Sequence, residues 1–218
     1  MCGIAGVFDL RGTRPVPPAL IEAMNDAQAH RGPDGEGVYA APGVGLGQRR
    51  LAIIAIDNGR QPLANEDGSV WVVFNGEIYN FVKLRAELEA LGHRFATPSD
   101  TEVLVHGWEA WGEGLLPRLR GMFAFALWDA RAGTLFLARD RLGKKPLYYT
   151  ETASGWLAFA SELKALRVHP GLDHRLDPAA IEDYLAFGYI PEPRSIYRAV
   201  HKLEAGHCAR LERGAGQG

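Results

Sequence analysis

The sequence lacks any apolar run long enough to cross a membrane. Its 218 residues contain nothing that approaches the roughly 18 apolar residues of a membrane span, and no basic segment followed by an apolar one opens the chain. An excess of charge is also missing, since 24 lysines and arginines stand against 26 aspartates and glutamates, for a net charge of -2. This balance supplies no field for nucleic acid or an anionic membrane surface, so we expect no nucleic-acid partner and no membrane partner.

Cysteine is scarce. Cys2 and Cys208 are the only two, which excludes a disulfide framework and favours free thiols in a reducing compartment. We therefore predict a cytoplasmic location, with a single Cys2–Cys208 bridge as the alternative. The seven histidines have no cysteine or carboxylate partners at ligand spacing, so no metal site is expected.

Apolar residues make up 47% of the chain, which is enough for one large domain or two small ones with a real core. The segment CGIAGVF is typical of a buried strand, and helices are predicted from Pro18, near Asn80, from Ser99 and over 178–187. The strands MFAFALWDA, TLFLARD, PLYYT and GWLAFAS indicate an antiparallel meander. Because MFAFALW is apolar at nearly every position, we expect sheets that are covered on both faces, with helices outside stacked sheets.

The position of Cys2 directly behind Met1 suggests a nucleophile. A small second residue favours removal of the initiator methionine, which would leave a thiol and a free α-amine on one residue. A thiol with a pKa near ~8.5 is only a few per cent thiolate at pH 7, whereas an α-amine near ~7.8 is partly neutral and accepts a proton. The alternative is a small core residue, because most cysteines are that.

Three other segments combine polar groups with rigid supports, and each has a structural alternative. They are Arg49-Arg50, FNGE at 74–77 and SDTE at 99–102. Asn75-Gly76 after an alternating apolar run is typical of a hairpin turn. The SDTE segment has capping-box spacing, and Arg50 alone would be a solvated charge. Taken singly, the structural interpretations are favoured.

Taken together, these segments resemble a family. CGIAGVFD, HRGPDGEG, RRLAII with QPLANEDG, VVFNGEIYNF, SDTEVLVHGWEAWG and GMFAFALWD through ARDRLGKKPLYY to FASELKAL closely resemble the glutaminase domain of glutamine-dependent asparagine synthetases. That family belongs to the class II glutamine amidotransferases, within the N-terminal nucleophile hydrolases. The resemblance covers essentially the whole chain in the expected order. It implies an α+β fold, a four-layer αββα sandwich of two antiparallel sheets between helical layers.

The resemblance also assigns roles at matching positions. It implies that Cys2 is the nucleophile, and that the Asn75 side chain and the Gly76 backbone N–H form the oxyanion hole. Arg50 matches the arginine that holds the α-carboxylate of glutamine, and Asp100 matches the carboxylate that accepts its α-ammonium. The matching pocket is completed by backbone groups of Leu51, Ala52, Ile53 and Ile54 and by Gly76 and Glu77. One position departs from the pattern, since Ala55 stands where relatives usually carry an aspartate.

The sequence has no Gly-Gly pair, so the pyrophosphatase loop of a synthetase domain is missing. We therefore expect a type 2 glutamine amidotransferase domain over 2–213 and a tail over 214–218 that leads toward an absent synthetase domain. The resemblance implies L-glutamine as substrate, no cofactor in this chain, and ATP and Mg only in the synthetase domain. The ammonia is expected to go to that domain or to a separate partner that activates the acceptor. Two alternatives stay open: an N-terminal nucleophile peptidase or acylase, and a catalytically silent regulatory domain if Met1 is retained.

Overall fold

The computed structural model describes residues 1–52 and 59–213. Its strands in chain order are β1 (Gly3–Asp9), β2 (Gly35–Ala41), β3 (Val44–Arg50), β4 (Leu63–Ala64), β5 (Val70–Ile78), β6 (Gly121–Asp129), β7 (Thr134–Arg139), β8 (Tyr148–Glu151), β9 (Trp156–Ala160), β10 (His201–Lys202) and β11 (Cys208–Glu212). Its α-helices are α1 (Pro18–Asp26), α2 (Phe81–Ala90), α3 (Glu102–Trp111), α4 (Leu163–Leu166) and α5 (Pro178–Phe187), with 3-10 helices at Ala29–Arg31 and Gly112–Arg118.

The strands form two antiparallel sheets. The first sheet has the order β10-β8-β9-β1-β3-β2, and the second has the order β11-β7-β6-β5-β4. All seven residues of β1 are buried, because this strand lies inside the first sheet between β3 and β9. In the second sheet β5 and β6 pair along nine residues each. The N-terminal strand predicted from CGIAGVF is therefore confirmed as an inner strand.

Three apolar clusters show how the layers stack. One lies between the sheets and joins Phe8 and Phe159 of the first sheet to Val73 and Leu137 of the second. Another packs α1 and α4 on the outer face of the first sheet, through residues such as Ile21, Met24 and Leu166. The third packs α2 and α3 on the outer face of the second sheet, through residues such as Leu88, Leu104 and Phe125. The four-layer αββα sandwich expected from the sequence is confirmed.

Two local predictions are wrong. Asn75-Gly76 is not a hairpin turn, since β5 continues through both residues to Ile78; the long partner strand β6 keeps the chain extended there. The strands after residue 120 do not form one meander either, because β6 and β7 belong to the second sheet and β8 and β9 to the first. None of the described helices has both the length and the apolar character needed to cross a membrane.

Candidate active site

Cys2 lies immediately before β1 and is held at both its thiol and its carbonyl. The Leu51 amide donates to Cys2 Sγ at 3.4 Å, and the thiol donates to the Leu51 carbonyl at 3.6 Å. The Cys2 carbonyl accepts from Arg31 Nε at 2.9 Å, and Arg31 Nη1 in turn donates to Glu162 Oε1 at 3.0 Å. These contacts fix the residue from two segments that are distant in sequence.

The backbone of β5 points an amide toward the same region. Phe74 N donates to Gln61 Oε1 at 2.7 Å, and Ile78 N donates to Asp100 Oδ2 at 2.9 Å. Amide groups two residues apart in a strand point to the same side. The Gly76 N–H, midway between these two, therefore points away from β6 and lies beyond the end of the short strand β4, which pairs only with Val72 and Trp71.

The Asn75 side chain lies on the face of β5 that is turned toward the first sheet. Side chains alternate along a strand, so Asn75 shares a face with Val73, which is in the cluster between the sheets. Asn75 is only 1% exposed, and among the described residues its Nδ2 atom has no hydrogen-bond partner. Because buried donors are almost always paired, this N–H₂ group is an available donor.

Gly76 is required at its position by the neighbouring strand. A Cβ atom built there would lie 2.2 Å from the Met122 carbonyl oxygen. Such a contact would force β5 and β6 apart. The glycine thus permits close strand packing in an extended segment rather than a turn.

These groups line one cavity of about 170 Å³. The residues around it come from both sheets, from the loop before α3 and from the chain terminus. They are Met1, Cys2, Arg50, Leu51, Gly59, Gln61, Phe74, Asn75, Gly76, Glu77, Ser99, Asp100, Thr101, Met122 and Lys145. A thiol, an amide nitrogen that is unpartnered among the described residues, a guanidinium and two carboxylates therefore share a single pocket.

The cavity has charged groups of both signs. Arg50 ends β3 and is half-buried, whereas Asp100 is almost fully buried. Burial raises the pKa of Asp100, the charge of Glu77 raises it further, and the hydrogen bond from the Ile78 amide opposes both. The aspartate therefore lies in a setting that a bound cation would stabilise.

The structure brings most of the predicted site residues together. Cys2, Arg50, Leu51, Asn75, Gly76, Glu77 and Asp100 all line the cavity. Ala52 does not, and its amide donates instead to Asp34 Oδ2 at 2.9 Å. Ile53 and Ile54, together with the departure at Ala55, lie outside the described residues, as does the tail at 214–218. The roles assigned to these residues stay predictions.

Other pocket residues were missed from the sequence. Gln61 joins two walls, since its Oε1 accepts from Phe74 N and its Nε2 donates to Thr101 Oγ1 at 3.1 Å. Lys145 is 6% exposed and its Nζ atom contacts Met1 Sδ at 3.3 Å. Arg31, which bonds the Cys2 carbonyl without lining the cavity, belongs to the segment HRGPDGEG, whose glycines and proline predict an exposed loop of the kind that borders a site. Gln61 and Lys145 carry no such signal.

The predicted capping box is wrong. Thr101 rather than Ser99 is the N-cap residue of α3, and it makes no side-chain cap bond. Glu102 accepts instead from the amides of Ala96 and Thr97, at 2.7 and 2.8 Å. Its carboxylate is thus used to fix the loop that leads to Asp100.

One histidine cluster was also not expected. Ligand atoms of His93, His106 and Glu109 lie within 4.8 Å of one another. His106 Nδ1 and Glu109 Oε2 are 3.1 Å apart, and Asn65 donates to Glu109 Oε1 at 2.7 Å. These bonds account for the cluster as a hydrogen-bonded ion pair. That the chain requires no metal or cofactor stays a prediction. Both cysteines are free thiols, so the alternative of a Cys2–Cys208 bridge is excluded.

Two antiparallel sheets between helical layers, with a cysteine at the start of an inner strand, define the N-terminal nucleophile fold. A solved structure of this fold is similar over 77% of this chain and 43% of its own: the glutamine phosphoribosylpyrophosphate amidotransferase of B. subtilis, with a TM-score of 0.62 and 24% identity. At that identity the likeness concerns the fold alone.

Sequence comparison defines the family. The chain belongs to the glutamine amidotransferase domain family, which it matches over residues 1–217. It is 45% identical to glutamine-hydrolyzing asparagine synthetase 1 of Bacillus subtilis (strain 168), over 94% of this chain and 33% of that protein. It is 39% identical to asparagine synthetase 3 of the same organism, over 95% and 34%. The chain thus spans about a third of the length of the curated relatives it matches.

Proposed function

We propose that the chain hydrolyses L-glutamine to L-glutamate and ammonia through a thioester on Cys2. The observation that carries the proposal is one cavity lined by the Cys2 thiol, Arg50, Asp100 and the Asn75 amide, whose nitrogen has no partner within 1–52 and 59–213. The relatives are named as glutamine-hydrolyzing enzymes. Family membership supports the same substrate.

The reaction begins once Met1 has been removed. The α-amine of Cys2 accepts the thiol proton, and the thiolate attacks the side-chain amide carbon of glutamine. Negative charge develops on the amide oxygen, where Asn75 Nδ2 and the Gly76 N–H donate to it. The intermediate collapses to a thioester as the leaving nitrogen takes the proton from the α-ammonium and departs as ammonia. Water then attacks the thioester, which releases glutamate and restores the thiol.

Selection for a free amino acid follows from the two charged groups. The planar guanidinium of Arg50 suits the α-carboxylate, because it bonds both oxygens in a fork. Asp100 lines the same cavity, and in this proposal its carboxylate accepts from the α-ammonium. A peptide-bound glutamine has neither charge, which disfavours a peptidase.

The ammonia would be consumed by a part of the enzyme that lies outside these residues. The relatives are named synthetases and are about three times longer than this chain, and we propose that a synthetase domain receives the ammonia. ATP and Mg would be needed only there. We propose accordingly that residues 2–213 form the amidotransferase domain and that 214–218 lead toward the synthetase domain; a cytoplasmic location stays a prediction.

Three measurements on the purified chain test the activity. Intact mass reports whether Met1 is absent, labelling with 6-diazo-5-oxo-L-norleucine reports an activated thiol in a glutamine-shaped pocket, and ammonia release from L-glutamine reports turnover. We expect Cys2→Ala to abolish labelling and ammonia release. Cys208→Ala is the matched control, since that thiol is exposed, and it should leave both unchanged. If a chain that begins with Cys2 neither releases ammonia nor reacts with the label, the proposal is wrong.

A further inference from the structure

Exposed large apolar side chains are concentrated on one short segment. Of the eleven such residues among those described, six lie between residues 176 and 189. We call them the α5 face: Leu176, Ile181, Tyr184, Leu185, Phe187 and Tyr189, with exposures from 39% to 79%. A concentration of exposed apolar side chains on one segment is typical of an interaction site.

The helix itself is nearly unpacked. Of its ten residues only Ala180 is buried. Helices shorter than about 12–15 residues are marginal in water and depend on burial of an apolar face. Helix α5 therefore presents outward the side chains that would ordinarily stabilise it.

Polar contacts hold the helix in place from its inner side. Asp177 caps its first turn by accepting from Ala179 N, and the Asp177 amide donates to Ile196 O at 2.9 Å. Arg194 Nη1 donates to Asp183 Oδ2 at 2.7 Å. These bonds attach α5 to the loop over 190–200 while leaving its apolar side chains exposed.

That loop is also connected to the active-site cavity. Asn75 of β5 pairs with Ala124 of β6, and Ala124 pairs in turn with Arg139 of β7. Arg139 therefore lies two strand spacings, roughly 10 Å, from Asn75. The Arg139 side chain donates to the Lys145 carbonyl at 2.7 Å and also to Glu192. One buried arginine thus joins a cavity residue to the segment that carries α5.

We propose that the α5 face is the docking surface for the synthetase domain that receives the ammonia. Two thirds of each relative lies outside the part matched by this chain. The synthetase domain would lie in that portion and would pack against the α5 face. Interfaces between domains of one chain bury about 600–1,500 Å², and the exposed side chains of the α5 face supply apolar area for such an interface. Docking here would link the domain that receives ammonia to the cavity through the hydrogen bonds of Arg139 to the Lys145 carbonyl and to Glu192. The inference rests on the proposed function.

The test is a full-length chimera in which residues 1–213 replace the matched third of the Bacillus subtilis synthetase 1. Three rates are measured: glutamine hydrolysis, amide synthesis from added ammonia, and amide synthesis from glutamine. Leu185→Glu should lower only the third, by about tenfold or more, as expected when a charge replaces an interface anchor. Leu142→Glu is the matched control, since Leu142 and Leu185 are 77% and 79% exposed, and it should leave all three rates unchanged.

Hydrogen exchange gives a readout that does not depend on catalysis. The amides of α5 should exchange more slowly in the chimera than in the 218-residue chain, and Leu185→Glu should abolish that difference. Equal synthesis from glutamine by the two variants, or equal α5 exchange in chimera and chain, would overturn the inference. So would a dimer of the isolated chain that Leu185→Glu dissociates, because the occupant would then be a second copy. Failure of the chain alone to release ammonia would instead refute the proposed function.

Discussion

Asn75 carries a buried N–H₂ group that no described residue accepts. We expect Asn75→Ala to lower kcat for glutamine hydrolysis by about 10²–10³, or roughly 3–4 kcal/mol, with a small change in KM, because the donor acts on charge that develops only in the transition state. Folding should be little affected, since no hydrogen bond among the described residues is lost with Nδ2. Steady-state kinetics and thermal unfolding measure the two effects. A kcat within about threefold of the wild type would exclude Asn75 from the oxyanion hole.

Asp100 predicts a pH dependence of substrate binding. Burial and the charge of Glu77 raise its pKa above the ordinary value, so it becomes protonated at a higher pH than a solvated aspartate. A neutral Asp100 attracts the α-ammonium of glutamine less, and KM should therefore rise as the pH falls through this raised pKa. Measurement of KM from pH 4 to 8 tests the expectation. Asp100→Asn should have a high KM without that dependence, and a wild-type KM that is flat over this range would contradict it.

At the scale of single elements, β1 shows why Gly6 stands in an inner strand. A Cβ on Gly6 would lie 2.4 Å from Phe159 Cζ and 2.5 Å from the Gly45 carbonyl oxygen, and strand neighbours on both sides prevent relaxation. Overpacking in a core typically costs about 1–3 kcal/mol, so Gly6→Ala should lower the free energy of unfolding by at least about 2 kcal/mol. Denaturant titration checks this. Gly35→Ala is the control, because nothing lies within 4 Å of a Cβ there.

Helix ends were predicted well where residues next to one another in sequence determine them. The proline at the start of α5, the Asp177 cap and Gly188 with φ of 76° give the bounds 178–187 found in the structure. Similarly, Gly92 follows α2 with φ of 99°, as a left-handed C-cap requires. Such signals depend on neighbouring residues only, which is why they can be read from sequence.

Predictions failed where the local structure depends on contacts with residues far away in sequence. Asn75-Gly76 has the sequence of a turn, but pairing with β6 keeps it extended and the Met122 carbonyl explains the glycine. The residues of the site that the sequence did identify came from the resemblance, since singly each had a structural explanation. Arg31, Gln61 and Lys145 act through contacts with residues far away in sequence, and no local pattern encodes such contacts.

At the scale of the whole molecule, the candidate site exists only when both sheets are assembled. Cys2 immediately precedes β1 of the first sheet, whereas Asn75 and Gly76 belong to β5 of the second. Asp100 lies on a loop that Glu102 holds through the amides of Ala96 and Thr97. Stability and the geometry of the cavity are therefore coupled, and loss of the bonds to Glu102 should affect both.

Glu102 gives the molecule an acid-sensitive contribution to stability. Burial alone would raise its pKa, but hydrogen bonds from His106, Thr97 and the amides of Ala96 and Thr97 lower it from 4.5 to about 2. A carboxylate whose pKa is depressed on folding stabilises the native state above the unfolded pKa, and this contribution is lost as the pH falls toward the folded pKa. The difference corresponds to at most about 3 kcal/mol, shared with His106, whose pKa is raised by the carboxylates of Glu102 and Glu109 against the effect of burial.

The free energy of unfolding should consequently decrease as the pH is lowered from about 4.5 to about 2, because Glu102 becomes protonated. It should also decrease as the pH is raised above 6.5, the ordinary pKa of histidine, because His106 loses its proton. Denaturant unfolding at pH 3, 5 and 7 measures both changes. Glu102→Gln should lower the free energy of unfolding at pH 5 and should reduce the loss of stability at acid pH. Some loss should remain, because Arg14 holds the pKa of Asp9 at about 2. Glu87→Gln, at a half-exposed ion pair with Arg118, should follow the wild type, since exposed pairs contribute at most about 1 kcal/mol. If Glu102→Gln also paralleled the wild type, the bonds that fix the Asp100 loop would not be what makes this fold acid-sensitive.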